Sequence, residues 1–251
     1  MSVNGRRPSD QDLLASYLLA KVAIVDAGFE NEITWQETRC IDAIDDRLFL
    51  REAAWVVLSS GMRESVVRKI YPAVEAAFGG WGSAAWVVEH SAECKLQAAR
   101  AFRHERKLEA LVEISRAVAR DGLEPILAGL RETGPDSLMT LPYMGPATSK
   151  HLAKNLGLDV AKPDRHLVRV ALAVGYESPA SLCEYLASAV GDTVAVVDLV
   201  VWRFATISSD YVDFFQRSRS SRLPAAADRR ATSAPSAEMW LDAGEARCGA
   251  S

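Results

Sequence analysis

The residues best suited to do chemistry lie close together in this chain. They are Leu141-Pro142-Tyr143-Met144-Gly145-Pro146-Ala147-Thr148-Ser149-Lys150 and, after a short link, Asp164-Arg165-His166-Leu167-Val168-Arg169. The first run reads as a helix end, a tight hairpin over Pro142 to Gly145, and a new helix opening at Pro146. Proline suits that first turn, because the N–H it lacks would have no helical partner there. A hairpin feeding a helix N-terminus turns several unpaired backbone N–H groups towards one point, which makes a site for a phosphate. Asp164 stands immediately ahead of the next helix, where its position alone makes it an N-cap.

The elements that must hold these residues are helices. From Asp12 to Phe215 the apolar residues recur mostly at helical spacing, as in Leu108, Leu111, Val112, Ser115, Val118 and Ala119, or Leu167, Val170, Ala171 and Val174. Trp55-Val56-Val57-Leu58 and Val194 to Trp202 have the composition of strands. Ala, Glu and Arg flank them, however, and no Asn-Gly or Asp-Gly joins two such runs, so they are expected to be helical. Breaks fall at Gly79-Gly80, Asp121-Gly122, Gly134-Pro135, Leu141 to Gly145, Lys162-Pro163 and Ser178-Pro179. The expectation is an all-α protein of about nine or ten helices. Residues 1–10 are expected to be a disordered N-terminus. Residues 216–251, rich in Ser, Arg, Ala and Pro, are expected to be a disordered tail.

A chain of 251 residues is one large domain or two small ones sharing a cleft. With 49% apolar and 25% charged residues it is neither wholly disordered nor a coiled coil. No stretch reaches membrane-spanning length and the N-terminus is polar, so a cytoplasmic protein without a membrane partner is expected. Cys40, Cys94, Cys183 and Cys248 stand far apart with no CxxC pair, and read as small buried hydrophobes rather than a disulfide framework or a zinc site. The net charge of −4 counts against a protein that coats nucleic acid. Its distribution is uneven. Leu141 to Gly175 carries Lys150, Lys154, Lys162, Arg165 and Arg169 for a net +3, and Lys95 to Lys107 carries a net +4. The second cluster reads as a solvated face. The first, which contains the hairpin, suits a grip on a short length of nucleic acid.

Leu141-Pro142-Tyr143-Met144-Gly145 followed by Asp164-Arg165-His166-Leu167-Val168-Arg169 resembles the helix-hairpin-helix DNA glycosylase superfamily, whose hairpin reads Leu-Pro-Gly-Val-Gly and whose catalytic aspartate sits in an Asp-x-His-x-x-Arg setting. His151-x-x-Lys154-Asn155-x-Gly157 ahead of Asp164 looks most like the archaeal-type 8-oxoguanine glycosylase branches. The resemblance spans about Asp12 to Phe215, dense at the hairpin and sparse elsewhere. It implies a two-lobed all-α fold with the active site in the cleft between lobes, one lobe from residues 11–54 plus 161–215. The other, a six-helix lobe over 55–160, would end in the helix-hairpin-helix at about 138–157. It implies base excision from duplex DNA, Asp164 stabilising an oxocarbenium-like sugar and activating water. A flipped base needs an aromatic slot and a wedge that holds the stack open. Asp198-Leu-Val-Val-Trp202 looks like the pocket helix of that branch, Trp35-Gln36 like its base-reading segment, and Leu58 to Arg63 like its gap-filling loop. Met62 is the wedge, with Arg63 beside it, because Gly61 lets the backbone approach DNA closely. The DNA-contacting set is Pro142, Tyr143, Met144, Gly145, Ala147, Thr148, Lys154, Arg165, His166 and Arg169. His151, Trp81 and Trp86 read as packing residues.

Two positions depart from the pattern. Tyr143 replaces the first hairpin glycine. Ala147 stands where bifunctional members carry a Schiff-base lysine, which implies a monofunctional enzyme that leaves the strand intact. Lys150 lies one helical turn later, where its long stem could reach C1′ and give a lyase activity. Three alternatives stay open: a bifunctional enzyme using Lys150, removal of modified phage bases, and a non-catalytic helix-hairpin-helix DNA-binding protein. The excised base is unspecified, with oxidised purines favoured by the branch. No cofactor is expected, no side-chain metal site, and no iron–sulfur cluster, since no four-cysteine set closes the C-terminal region. A monovalent cation on the carbonyls of Pro142 to Gly145 is implied by resemblance only. The expected partner is double-stranded DNA containing a damaged or modified base, bound by a monomer.

Overall fold

The computed structural model describes residues 8–217, so the expected N-terminal disorder and the tail fall almost entirely outside the described residues. Every regular element among the described residues is helical, with no strand. In chain order these are α1 Asp10–Asp26, α2 Glu30–Glu37, α3 Asp46–Ser59, α4 Glu64–Ala77, α5 Ala84–Glu89, α6 Ser91–Ala98 and α7 Glu105–Asp121. There follow α8 Glu124–Thr133, α9 Pro146–Asn155, α10 Arg165–Ala173, α11 Pro179–Val190, α12 Val194–Ile207 and α13 Tyr211–Gln216. Expected breaks occur where Gly122 and Gly134 end α7 and α8 and where Asp164 and Ser178 cap α10 and α11 with their side chains; a further break, not singled out in the sequence, falls where Gly191 ends α11 and Thr193 caps α12. The count exceeds nine or ten because α5, α6 and α13 are too short to show a periodicity.

The chain divides into two compact units. Among the described residues, one contains those up to Arg39 and those from Asp159 to Arg217, with α1, α2 and α10–α13. At its centre lies α12, packed against α1, α2, α10 and α11. Val196, Val197, Val200 and Val201 are fully buried, and they join Leu13, Tyr17, Ile24, Leu167, Leu182 and Phe215 in one core. A helix that is apolar all round belongs in such an interior, which explains the strand-like composition of Val194 to Trp202.

The other unit is Cys40–Leu158. Its centre is α3, whose residues from Leu48 to Leu58 are all buried, packed against α4, α7 and α9. The first boundary therefore falls at Arg39–Cys40 and not at 54/55, which lies inside α3. A continuously buried helix carries no polar face to say which lobe it belongs to, and no Gly or Pro punctuates Thr38 to Cys40.

No single helix among the described residues is long and apolar enough to cross a membrane. Cys94 and Cys183 are free and buried, as expected. Cys40 is buried, and Cys248 lies outside the described residues. Trp81 is a core residue, whereas Trp86 is exposed and stacks on His90 at 4.5 Å on the outer face of α5.

Candidate functional site

In the Cys40–Leu158 unit the hairpin is a tight turn, closed by the Met144 N–H donating to the Leu141 carbonyl at 3.2 Å. Pro142 presets the first central position. Tyr143, at the second, has φ 64°, the left-handed conformation a type II turn demands there and glycine ordinarily supplies. The Met144 side chain is buried, so it pins the turn to the core instead of meeting DNA as expected. Gly145 is extended and caps α9. The Thr148 hydroxyl donates to the Tyr143 carbonyl at 2.8 Å and accepts from the Gly145 N–H at 2.7 Å, locking hairpin to helix. Because Pro146 has no N–H, the backbone donors left at this end are those of Ala147 and Thr148. Lys150 is partly buried on the next turn. Lys154 is buried in the last turn of α9, where the helix dipole favours a cation, and is thus not the surface phosphate contact expected. Next to it, buried Asn155 donates to Glu52 of α3 at 2.9 Å.

In the other unit Asp164 caps α10. Its Oδ1 accepts from the N–H of His166 at 2.8 Å and of Leu167 at 3.0 Å, while Oδ2 accepts no hydrogen bond among the described residues. The link carrying Asp164 is sewn to α12. Asp159 accepts from the Ala195 N–H at 2.9 Å, and Asp198 accepts from the Lys162 N–H at 2.7 Å. Asp198 is 1% exposed, which corrects its expected role as an open acceptor for a base: it positions the Lys162–Asp164 backbone. His166 is turned inward too. Its Nδ1 lies 3.1 Å from the Tyr211 hydroxyl and its Nε2 accepts from Arg165 Nε at 3.3 Å. Burial pushes the imidazole pKa down, with Arg165, Arg169 and Lys162 adding to the effect and Asp164 opposing it. His166 therefore supports the Asp164 turn in place of the expected DNA contact, whereas Arg165 and Arg169 are exposed.

The same unit packs α2 on α12 and so gathers the predicted pocket residues. Trp202 is partly buried, with the Arg203 guanidinium 4.5 Å from its ring centroid. Arg203 also lies 4.3 Å over Phe29 and makes a two-point ion pair with Glu32, at 2.7 and 2.8 Å. One face of Trp202 is thus backed by a cation that cannot swing away. Trp35 is partly buried with Arg39 at 4.3 Å over its ring, and Gln36 is buried at 5% exposure, turned away from the surface position expected of a base reader.

The Met62 loop is a second turn of the hairpin's type. Ser60 sits at φ −56°, ψ 116°, Gly61 at φ 71°, and the Met62 N–H donates to the Ser59 carbonyl at 3.0 Å. Met62 is partly buried and Arg63 exposed. Beneath the loop lies a residue not singled out from the sequence. Lys107 is 3% exposed, and its Nζ donates to the carbonyls of Leu58 at 2.8 Å and Ser60 at 2.6 Å. Burial pushes its pKa down to about 8. Its spacing to Leu111, Ile114, Ser115 and Val118 puts it on the buried stripe of α7, a signal available in the sequence.

A shallow depression in this unit, lined by Ile44, Asp45, Arg47, Leu123, Glu124 and Leu127 among others, contains none of the predicted residues. Among the described residues no group of three or more His, Cys, Asp or Glu side chains is placed to hold a metal ion. No protein-family model, no curated protein and no solved structure matches the chain.

Proposed function

We propose that this chain is a monofunctional DNA glycosylase of the helix-hairpin-helix type, acting on a damaged or modified base in duplex DNA. The observation that carries the reading is Asp164. Two backbone amides fix its Oδ1, α12 holds the link it stands on, and Oδ2 accepts no hydrogen bond from the described residues. A carboxylate held in this way costs nothing to reorient as positive charge develops at the sugar C1′, and its open oxygen can orient or deprotonate the attacking water. Trp202, backed by Arg203, offers a fixed aromatic surface for an extruded base. The Ala147 and Thr148 amides, at the positive end of α9, suit a backbone phosphate.

The test is mass spectrometry of bases released from duplexes carrying oxidised, alkylated or hypermodified bases. Release of a free base with an intact strand is expected. Binding without release from any substrate favours the non-catalytic alternative. Borohydride added during turnover is expected to trap no covalent adduct, since Ala147 has no amine; an adduct lost in Lys150→Ala overturns the monofunctional assignment.

A further inference from the structure

The basic stretch from Lys95 in α6 to Lys107 in α7 has no role in the reading above. Two of its five cations are accounted for inside the unit: Lys95 pairs with Glu109, and Lys107 is buried beneath the Met62 turn. Arg100, Arg103, His104 and Arg106 are exposed, and none makes an ion pair among the described residues. Arg106 sits in the first turn of α7, where the helix dipole disfavours a cation, so the fold itself does not explain it. The stretch is fixed beside the hairpin. The His104 ring stacks on Phe102 at 5.8 Å and meets the Tyr143 ring edge-on at 6.4 Å. The side chain at the hairpin's unusual left-handed position is thus the one that touches this turn.

We propose that Arg100, Arg103, His104 and Arg106 extend the hairpin into one strip that binds consecutive phosphates of a duplex DNA backbone, with Tyr143 and His104 joining its two halves. This rests on the DNA-binding reading of the hairpin. Three guanidiniums facing solvent, with Glu105 the one acidic side chain among them and paired with none of them, suit phosphate oxygens, which they can meet in forked pairs. Such contacts position the DNA and carry no sequence information.

The test uses the full chain and a fluorescein-labelled duplex, with Kd measured across a range of KCl concentrations. Each phosphate contact contributes about 0.9 to the slope of log K against log salt. Arg100→Ala/Arg103→Ala/Arg106→Ala is expected to lower that slope by about 2 to 3, and Arg103→Ala alone by about 0.9. An unchanged slope in both variants overturns the strip. The single variant keeps the test alive if the triple one misfolds. Wild type that shows no salt-dependent binding refutes the DNA reading itself. Binding that Lys150→Ala weakens and the arginine variants do not refutes the strip alone. Preferential displacement of the duplex by polyglutamate points to an acidic protein partner and also overturns the proposal.

Discussion

Replacing Lys107 with methionine removes a charge from beneath the Ser59–Met62 turn while keeping most of the aliphatic stem. In the folded chain burial lowers the lysine pKa from 10.5 to about 8. Between those values the unfolded chain binds a proton that the folded chain does not, so stability rises with pH across this window and falls as pH drops through about 8. At about 1.4 kcal/mol per pH unit the ceiling on that gain is about 3 kcal/mol. Two carbonyl acceptors stabilise the ammonium and water reaches the loop, so about 1–2 kcal/mol is the working expectation. The assay is urea unfolding at pH 7.5 and 9.5, below the range in which buried Tyr17 and Tyr71, whose pKa values burial raises, reverse the trend. Cys94, whose thiol pKa burial raises, opposes the trend equally in both proteins, so wild type should gain about 1–2 kcal/mol relative to Lys107→Met between these pH values. Equal pH slopes in the two proteins would falsify the assignment of Lys107 as a buried ammonium.

Two further predictions follow from local geometry. Tyr143→Gly should be more stable than Tyr143→Ala by about 1 kcal/mol in urea unfolding, reversing the usual order, because only glycine relieves the left-handed backbone; the opposite order removes the argument for strain. Asp198→Ala should cost about 1–3 kcal/mol by taking the acceptor from the part-buried Lys162 N–H, and should slow base release through Asp164, whereas Asp198→Asn keeps an acceptor and recovers most of the stability. Identical melting of Asp198→Ala and wild type contradicts the positioning role.

The helical class, the breaks and the hairpin were legible because proline, glycine and apolar spacing report backbone geometry directly. Leu141 to Gly145 turned where Pro142 and Gly145 predict, and Asp164 caps a helix as its position requires. Buried polar residues were harder to place. Asp198, Gln36 and Lys154 carry side chains whose type suggests solvent, and a single sequence does not show which polar residue an interior amide or dipole has recruited. Lys107 was hidden by its neighbours: in a run of cations it looks like one more surface charge, although its spacing to Leu111 and Val118 places it inward. The boundary at Arg39 was not visible because α3 is buried without a break from Leu48 to Leu58 and signals no face there.

The comparison of Asp164→Asn with Asp164→Ala, scored for both stability and base release, tests the central claim most directly. Asparagine caps a helix about as well as aspartate, whereas alanine costs about 1 kcal/mol. The account predicts that Asp164→Asn melts like wild type and still binds duplex DNA but releases base at least about a hundredfold more slowly, having lost the carboxylate charge. Base release by Asp164→Asn at the wild-type rate would contradict it, leaving Asp164 as a helix cap and nothing more.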